Sequence, residues 1–229
     1  MQRVDEILEA SRRLSEALAP GDLDTTLERI TAAAVEVLPD VAYASITVKH
    51  QDGRLETFAP TDNAILELDA AQYELREGPC YEAATDSVHV TAPYIVDDPR
   101  FPRYGPVAFA AGIPAQAAIR LFDAPRSNGA LNLYSERPGA FEDFDVLAQL
   151  FAHQSATALV YARQVSELQE ALGTRQLIGQ AVGVTMERFE LDDVRAFGFL
   201  TRLSQDNNLK LRVVAERLLD EMKQRHHKD

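Results

Sequence analysis

Positively charged side chains flank a short polar stretch near the C-terminus of this sequence. Arg202, Lys210 and Arg212 surround the run from Ser204 to Asn208, which reads Ser-Gln-Asp-Asn-Asn. Cationic groups bind phosphates, and hydroxyl and amide groups can meet the edges of exposed bases. The same polar residues also serve as caps at a solvated corner between two helices. Taken alone, the residue types favour the structural corner, but they leave a polyanion-binding surface open.

The two parts of the chain differ in their balance of charge. The whole sequence carries a net charge of -13. From Leu168 to the C-terminus there are 10 basic and 10 acidic residues, so the excess negative charge lies in Met1 to Glu167. This asymmetry indicates two units with different partners. A neutral C-terminal unit can bind a polyanion if its basic groups share a face, and the same charge also suits a helical dimerisation segment.

Residues with catalytic potential are few. The sequence has no phosphate-binding loop ending in Lys-Ser/Thr, no His-Glu-x-x-His and no Gly-x-Ser-x-Gly. The adjacent carboxylates of Asp97 and Asp98 precede a proline and are typical of a turn. Cys80 follows Gly-Pro, where a helix N-terminus would favour a thiolate, although a small buried thiol is the commoner role. We therefore predict that the protein is not an enzyme.

The sequence gives little sign of a metal site, a disulfide bond or a membrane-spanning segment. His50, His89 and His153 lie far apart without ligand spacing, so we predict no metal site. Cys80 is the only cysteine, which excludes an internal disulfide. No apolar run approaches the roughly 18 residues that a membrane-spanning helix needs. We expect a cytoplasmic protein without a membrane partner.

The first part of the chain shows the pattern of an α+β domain. Met1 to Ala19 has a helical apolar period, and a capping box with Thr25 as its cap opens a second helix that runs to about Leu38. Two hairpins follow, separated by an irregular middle that includes a helix with Pro79 in its first turn. The expected strands are residues 41–49, 54–59, 88–91, 115–122 and 130–135. This order predicts an antiparallel sheet with flanking helices.

The strand at 41–49 alternates strictly between apolar and polar residues. Ala44 and Ile46 share one face, whereas Ser45 and Thr47 share the other. This alternation predicts a half-buried strand.

A heptad pattern begins in the helix that follows the sheet. Its seam positions step by 4 and 3 and hold Leu147, Phe151, Gln154, Ala158, Tyr161, Val165, Leu168, Leu172, Arg175, Gly179, Val182 and Met186. A period of about 3.5 predicts a left-handed coiled coil. The first turns can pack on their own domain. Beyond Ala162 no sheet remains to be covered, so the apolar residues there predict a homodimer. We expect this helix to bend at Gly173, since glycine costs about 1 kcal/mol relative to alanine in a helix.

The end of the chain predicts three helices with a small core. The first runs from Thr174 to about Arg188, the second has Asp192 as its N-cap, and the third follows Asn207-Asn208. The predicted fold class is thus α+β, followed by a coiled-coil helix that runs into a three-helix all-α domain.

Three sequence blocks in this last part identify a family. They are Thr-Arg-Gln-Leu-Ile-Gly-Gln-Ala-Val-Gly-Val-Thr-Met-Glu-Arg from Thr174, then Ala196-Phe197-x-x-Leu200, then residues 203–215. Their order and spacing closely resemble the ANTAR domain, the RNA-binding output module of bacterial transcription antiterminators. The family usually has Lys where Val182 stands and Leu where Thr185 stands, so one candidate phosphate contact is missing here. The resemblance implies that RNA is bound by Arg175, Arg202, Ser204, Asn208, Lys210 and Arg212.

The first part resembles the GAF domain, a small-molecule-sensing α+β module of signalling proteins. The residues that carry this resemblance are 77–80, 97–102, 112–114 and 129–135, which read Glu-Gly-Pro-Cys, Asp-Asp-Pro-Arg-Phe-Pro, Gly-Ile-Pro and Gly-Ala-Leu-Asn-Leu-Tyr-Ser. Phe101 stands where members of this subtype often have Trp. The cyclic-nucleotide motif Asn-Lys-Phe-Asp-Glu is absent. The ligand and any cofactor therefore stay unknown, and the alternatives of a protein ligand or of no ligand stay open.

Together the resemblances imply a signal-responsive transcription antiterminator that binds paired hairpin loops in nascent RNA. We expect a sensor domain over residues 1–163, a coiled-coil linker over 164–173 and an RNA-binding domain over 174–229. The alternatives are a DNA-binding helix-turn-helix regulator, a sensor dimer that acts only through protein contacts, and, least favoured, an enzyme on a sensor-like fold.

Overall fold

The computed structural model describes residues 12, 22–85, 89–124, 127–142 and 144–226. The helix expected over Met1 to Ala19 lies outside these residues, apart from Arg12. Contacts within the chain divide it into two units, residues 1–163 and 164–229, which we call the first and second units.

The first unit has its helices and strands in the order that the sequence predicts. They are α1 (Leu23–Val37), β1 (Tyr43–His50), β2 (Leu55–Phe58), α2 (Ala64–Leu75), α3 (Pro79–Thr85), β3 (His89–Ala92), a 3₁₀ turn (Ile95–Asp97), α4 (Tyr104–Ala110), β4 (Ala115–Ala124), β5 (Ser127–Ser135) and the first part of α5 (Asp145–Phe189). Pro79 opens α3, as expected. Helix α2 precedes α3 directly, and Phe141 lies in a turn before α5.

The predicted cap of the first described helix is wrong. Asp22, not Thr25, is the N-cap of α1, and its carboxylate accepts a hydrogen bond from the Thr25 backbone N–H at 2.9 Å. The same carboxylate also accepts from the Thr25 hydroxyl at 2.9 Å. The cap therefore moves three residues upstream because an aspartate there can satisfy both donors of Thr25.

The strands form one antiparallel sheet of five strands in the order β2-β1-β5-β4-β3. Both predicted hairpins are present, as β1–β2 and as β4–β5. The centre of the sheet joins β1 to β5, with Tyr43 opposite Tyr134 and His50 opposite Ser127. This pairing closes the sheet across segments that are far apart in the sequence.

Helices cover both faces of the sheet. One face is apolar and packs against α1 and the first part of α5, through residues such as Ile30, Ile46, Leu131 and Phe151. The opposite face packs under α2, α3 and α4. Strand β1 is therefore buried on both sides, and the expectation of a half-buried strand is wrong: Ser45 and Thr47 are fully buried.

The second unit consists of the remainder of α5 with α6 (Asp193–Asp206) and α7 (Leu211–His226). Asp192 caps α6 as predicted, since its carboxylate accepts from the Arg195 backbone N–H at 2.8 Å. The core is small: Ala181, Leu200 and Ala215 are fully buried, one from each helix. Helix α5 runs through Gly173 as a continuous helix of 45 residues. An antiparallel sheet with flanking helices followed by a helical part confirms the predicted fold class.

Candidate functional site

The corner between α6 and α7 is held by its own hydrogen bonds. The Leu209 backbone N–H donates to the Ser204 carbonyl at 3.0 Å, and the Ser204 hydroxyl donates to the Leu209 carbonyl at 2.5 Å. Asn208 takes a left-handed conformation with φ 50°, which asparagine tolerates better than most residues. The Lys210 carbonyl accepts from the Val213 and Val214 N–H groups and so starts α7. The corner is therefore ordered before any partner binds.

Cationic side chains around this corner are left available. The exposed side chains of Arg202 and Lys210 make no hydrogen bond or ion pair with another described residue. The Arg212 guanidinium lies 3.9 Å from the Glu216 carboxylate, and an exposed pair at this distance contributes about 0–1 kcal/mol. An incoming phosphate would displace little to reach these groups.

The predicted site residues fall into two groups. Arg202, Ser204, Asn208, Lys210 and Arg212 lie at or beside the corner. Arg175 lies on α5, exposed, at the rim of an apolar groove of about 660 Å³ that Val194, Phe197 and Leu211 also line. Leu211 follows Lys210 directly, so the groove reaches the first turn of α7.

The two departures from the ANTAR pattern are accommodated by the helices of the second unit. Val182 packs against the core around Ala181 and Leu200. Thr185 is fully buried, and its hydroxyl donates to the Ala181 carbonyl at 2.8 Å. Burial of this polar side chain therefore leaves no unsatisfied hydroxyl.

A second candidate site is the buried polar face of the sheet. Asp69 of α2 is fully buried, and its carboxyl group accepts hydrogen bonds from the hydroxyls of Ser45 at 2.8 Å, Thr57 at 3.0 Å and Tyr134. Burial raises the pKa of Asp69, although these three hydroxyl donors oppose the shift. None of the hydrogen-bonding partners described for Asp69 is a cation. This cluster thus keeps a carboxyl group in the interior without a countercharge.

Neighbouring side chains extend the cluster across the sheet. The Asn132 amide donates to Ser45 at 2.9 Å and to Thr47 at 2.8 Å. Gln72 brackets Cys80: its amide N–H donates to the Cys80 sulfur at 2.9 Å, and its oxygen accepts from the Cys80 backbone N–H at 3.0 Å. Burial raises the pKa of the Cys80 thiol, so the thiolate that its position suggested is not favoured.

Some buried polar atoms of this face have no partner among the described residues. They include the amide oxygen of Asn132 on β5, whereas the side chains of Tyr104 on α4 and Gln116 on β4 share a hydrogen bond. Gln116 and Tyr104 are fully buried. An unpaired buried polar group costs about 1–3 kcal/mol. A cavity of about 260 Å³ opens at this side of the sheet between α2 and α4, with Ile65, Leu68 and Ile113 in its wall.

This cluster is not among the sites predicted from the sequence, although the sequence carries a signal for it. Ile65, Leu68, Asp69 and Gln72 step by 3, 1 and 3 along α2 and form its buried face. A polar residue at two of four core-facing positions indicates a buried polar network.

Other residues considered for catalysis or metal binding contact charged neighbours. Asp98 is partly buried, which opposes ionisation, but hydrogen bonds from Arg100 lower the pKa of its carboxyl group overall. His50 lies 2.8 Å from the Glu56 carboxylate. Within the described ranges, no group of three His, Cys, Asp or Glu side chains is placed to hold a metal ion. No described helix is both long enough and apolar enough to cross a lipid bilayer.

Comparison with known families matches both parts of the chain. The family model of the GAF domain matches residues 21–160, and that of the ANTAR domain matches residues 166–219. Both are regulatory domains, and together they make a regulator with a signal-sensing domain and an RNA-binding antitermination domain. No curated protein sequence matches the chain.

Solved structures share the fold at low sequence identity. The N-acylhomoserine lactone-dependent LuxR-family transcription factor CepR2 of Burkholderia cenocepacia has a TM-score of 0.54 at 14% identity, covering 69% of this chain and 98% of its own. The GAF domain of a phosphoenolpyruvate-protein phosphotransferase from Coxiella burnetii has a TM-score of 0.51 at 16% identity, covering 71% and 97%. Escherichia coli SdiA has a TM-score of 0.50 at 13% identity, covering 90% and 93%. These likenesses concern the fold alone.

Proposed function

This chain belongs to the GAF domain family and carries an ANTAR domain after it, and we propose from this that it is a signal-responsive transcription antiterminator. In this proposal the ANTAR helices bind paired hairpin loops in nascent RNA in the cytoplasm and prevent formation of a terminator. The GAF domain controls that binding in response to a small molecule. The sensor comprises residues 1–163, the linker 164–173 and the RNA-binding domain 174–229.

The observation that carries the proposal is that cationic side chains at the α6–α7 corner are exposed and unpaired within the described residues. Arg202 and Lys210 are exposed and engage no described residue, beside a turn that Ser204 and Leu209 fix with two hydrogen bonds. Because the turn is already fixed, little conformational entropy is lost in ordering it when a ligand binds. Arg212 and Asn208 add a further cation and an exposed amide. Arg175 extends the basic surface along α5.

A homodimer is part of the proposal. Val165, Leu168 and Leu172 on α5 are 40%, 63% and 56% exposed within one chain. They continue the heptad seam beyond the first unit, and a second copy of the same helix would cover them. Two RNA-binding domains in one dimer suit RNA with two adjacent loops, because linked sites raise the effective concentration of the second. A change in helix pairing near Gly173 would carry the signal.

Binding to three nucleic acids of matched length tests this function. We expect the wild-type dimer to bind paired-hairpin RNA more tightly than single-hairpin RNA, and both more tightly than duplex DNA. The triple variant Arg202→Ala/Lys210→Ala/Arg212→Ala should lose this preference. A matched control removes the same charge elsewhere in the second unit, as Arg195→Ala/Arg217→Ala/Lys223→Ala.

The outcomes separate the candidate functions. Preference for duplex DNA would support a helix-turn-helix regulator instead. Equal, weak binding to all three by the wild type and both variants would reject nucleic-acid binding and leave a sensor that acts through protein contacts. Equal losses in the two triple variants would show a general effect of charge rather than a site at the corner.

A further inference from the structure

The cavity between α2 and α4 in the first unit has an apolar wall. Its volume is about 260 Å³, and three buried side chains line it: Ile65 and Leu68 of α2, and Ile113 just before β4. Roughly nine water molecules would fill this volume at about 30 Å³ each. A cavity of this size and lining suits one small organic molecule that has a ring or a short hydrocarbon part.

The polar side chains that line the same cavity are acidic or phenolic. Glu67 comes from α2, Glu136 follows β5 directly, and Tyr43 is the first residue of β1. The Tyr43 hydroxyl donates to Oε1 of Glu136 at 2.8 Å, which fixes this carboxylate at the cavity. The hydrogen bond to Glu136, the charge of Glu136 and the charge of Asp62 all raise the pKa of the Tyr43 hydroxyl. Two separate elements of the fold therefore place negative charge at one cavity.

This negative charge has no cationic partner in the part of the chain that the structure describes. The lining contains no basic residue, and neither Glu67 nor Glu136 forms an ion pair with a described side chain. Arg137, next to Glu136 in the sequence, pairs with Asp40 instead. An anion in the cavity would be repelled by both carboxylates, whereas a cation would be attracted to them.

The lining favours an organic cation over a metal ion. Among the described residues, no group of three His, Cys, Asp or Glu side chains is placed to hold a metal. A calcium or magnesium ion needs several oxygen ligands, which the apolar side of this cavity does not offer. An ammonium group has three N–H donors that two carboxylates can accept, and its hydrocarbon part gains from contact with apolar side chains.

We propose that this cavity binds a small organic cation, with its charged group on the carboxylates of Glu67 and Glu136 and its apolar part against Ile65, Leu68 and Ile113. This inference rests on the proposed sensory role of the GAF domain and names the chemical class of its ligand. A primary amine attached to a small ring or a short chain has both required parts.

Three probes of similar shape and different charge test the proposal on the full-length protein. Phenethylamine is a cation at pH 7, because an alkyl amine holds its proton there as lysine does. Phenethyl alcohol is neutral, and phenylacetate is an anion. Isothermal titration calorimetry and saturation-transfer NMR measure their binding up to millimolar concentration. We expect the amine to bind at least about tenfold more tightly than the alcohol, and phenylacetate not to bind.

A charge-removing variant identifies the groups that hold the cation. Glu67→Gln/Glu136→Gln keeps the shape of both side chains, so we expect at least about tenfold weaker binding of phenethylamine and unchanged binding of phenethyl alcohol. The matched control is Glu36→Gln/Glu74→Gln, which removes two charges from exposed positions of α1 and α2 outside the cavity lining. The control should keep wild-type affinity for the amine.

A space-filling variant tests the cavity itself and provides a second measurement should the double variant fail to fold. Ala111 lies in the cavity lining and is exposed, so Ala111→Leu adds bulk at the cavity without burying it in the core. Binding of both phenethylamine and phenethyl alcohol should weaken in this variant, because the larger side chain takes up space that the ring needs.

The proposal is overturned if phenethylamine does not bind, if phenylacetate binds equally well, or if the double variant and Ala111→Leu both keep wild-type affinity. Equal losses in the double variant and its control would show a general effect of the acidic surface and would overturn it too. Displacement of the amine by micromolar calcium would point to a metal site instead. These measurements need no RNA, so their failure is distinguishable from failure of the antiterminator test.

Discussion

The hydroxyl of Tyr134 on β5 donates a hydrogen bond to the carboxyl group of Asp69 on α2, and both side chains are fully buried. This bond joins α2, which covers this face of the sheet, to the central strand β5. Burial raises the pKa of both groups, since neither charged form is solvated there. Asp69 is thereby a source of pH-dependent stability.

The first prediction concerns that pH dependence. With a raised folded-state pKa, the native protein holds a proton on Asp69 that the unfolded chain releases above its own pKa of about 3.9. Stability therefore falls as pH rises from about 4 through the folded-state pKa of Asp69. Asp69→Asn should lack this contribution. Urea unfolding across a pH series measures it as a difference between the two proteins, and parallel curves would contradict it.

The second prediction concerns Gly105 in α4, where two backbones approach closely. A Cβ atom there would lie 2.3 Å from the Ile95 carbonyl oxygen, so the backbone would have to shift. Gly105→Ala should destabilise the first unit by about 1–3 kcal/mol in urea unfolding. The control is Gly198→Ala in α6, where the added methyl group meets nothing within 4 Å. That change should stabilise its helix by up to about 1 kcal/mol, and equal effects would refute the role of the close approach.

The third prediction concerns assembly. Leu168 is 63% exposed in one chain and lies on the heptad seam, so Leu168→Glu should convert the proposed dimer to a monomer. Gln169→Glu adds the same charge one residue away from the seam and should stay dimeric. Light scattering at micromolar concentration distinguishes the two states. A monomeric wild-type protein would show that the seam is wrongly assigned.

The fourth prediction concerns salt. Because the ammonium group of Lys210 engages no described residue, it is available for a phosphate. Lys210→Ala should reduce the slope of log affinity against log salt by about 0.7–0.9, the value for one phosphate contact. Filter binding or fluorescence anisotropy over a salt series gives the slope. An unchanged slope would remove Lys210 from the RNA interface, and Lys223→Ala is the matched control.

The fifth prediction concerns the turn itself. The Ser204 hydroxyl donates to the Leu209 carbonyl, so Ser204→Ala should destabilise the second unit by about 0.5–1.5 kcal/mol. RNA affinity should fall with it because the flanking cations lose their fixed spacing. Ser166→Ala, at an exposed position of α5, serves as the control. A loss of RNA affinity without any loss of stability would mean that the hydroxyl contacts RNA directly.

The elements that the sequence predicts well are those set by local interactions. The cap at Asp192, the hairpins β1–β2 and β4–β5, and the opening of α3 at Pro79 each depend on residues a few positions apart. The order of these elements, together with the motif blocks, was also enough to predict the fold class and the GAF and ANTAR families. The error at Thr25 arose because Asp22 and Thr25, three residues apart, can both act as caps and only geometry selects Asp22.

The tertiary structure determines that the polar face of the sheet is buried. Alternation along β1 assigns Ser45 and Thr47 to one side of the strand, but it does not reveal whether water or a helix lies there. That depends on the β1–β5 pairing and on α2 carrying Asp69 over it, contacts between segments distant in the sequence. Polar side chains satisfy either environment, since they can bond to water or to one another. The sequence alone therefore determined which residues alternate, and packing determined that the polar ones form a buried hydrogen-bonded network.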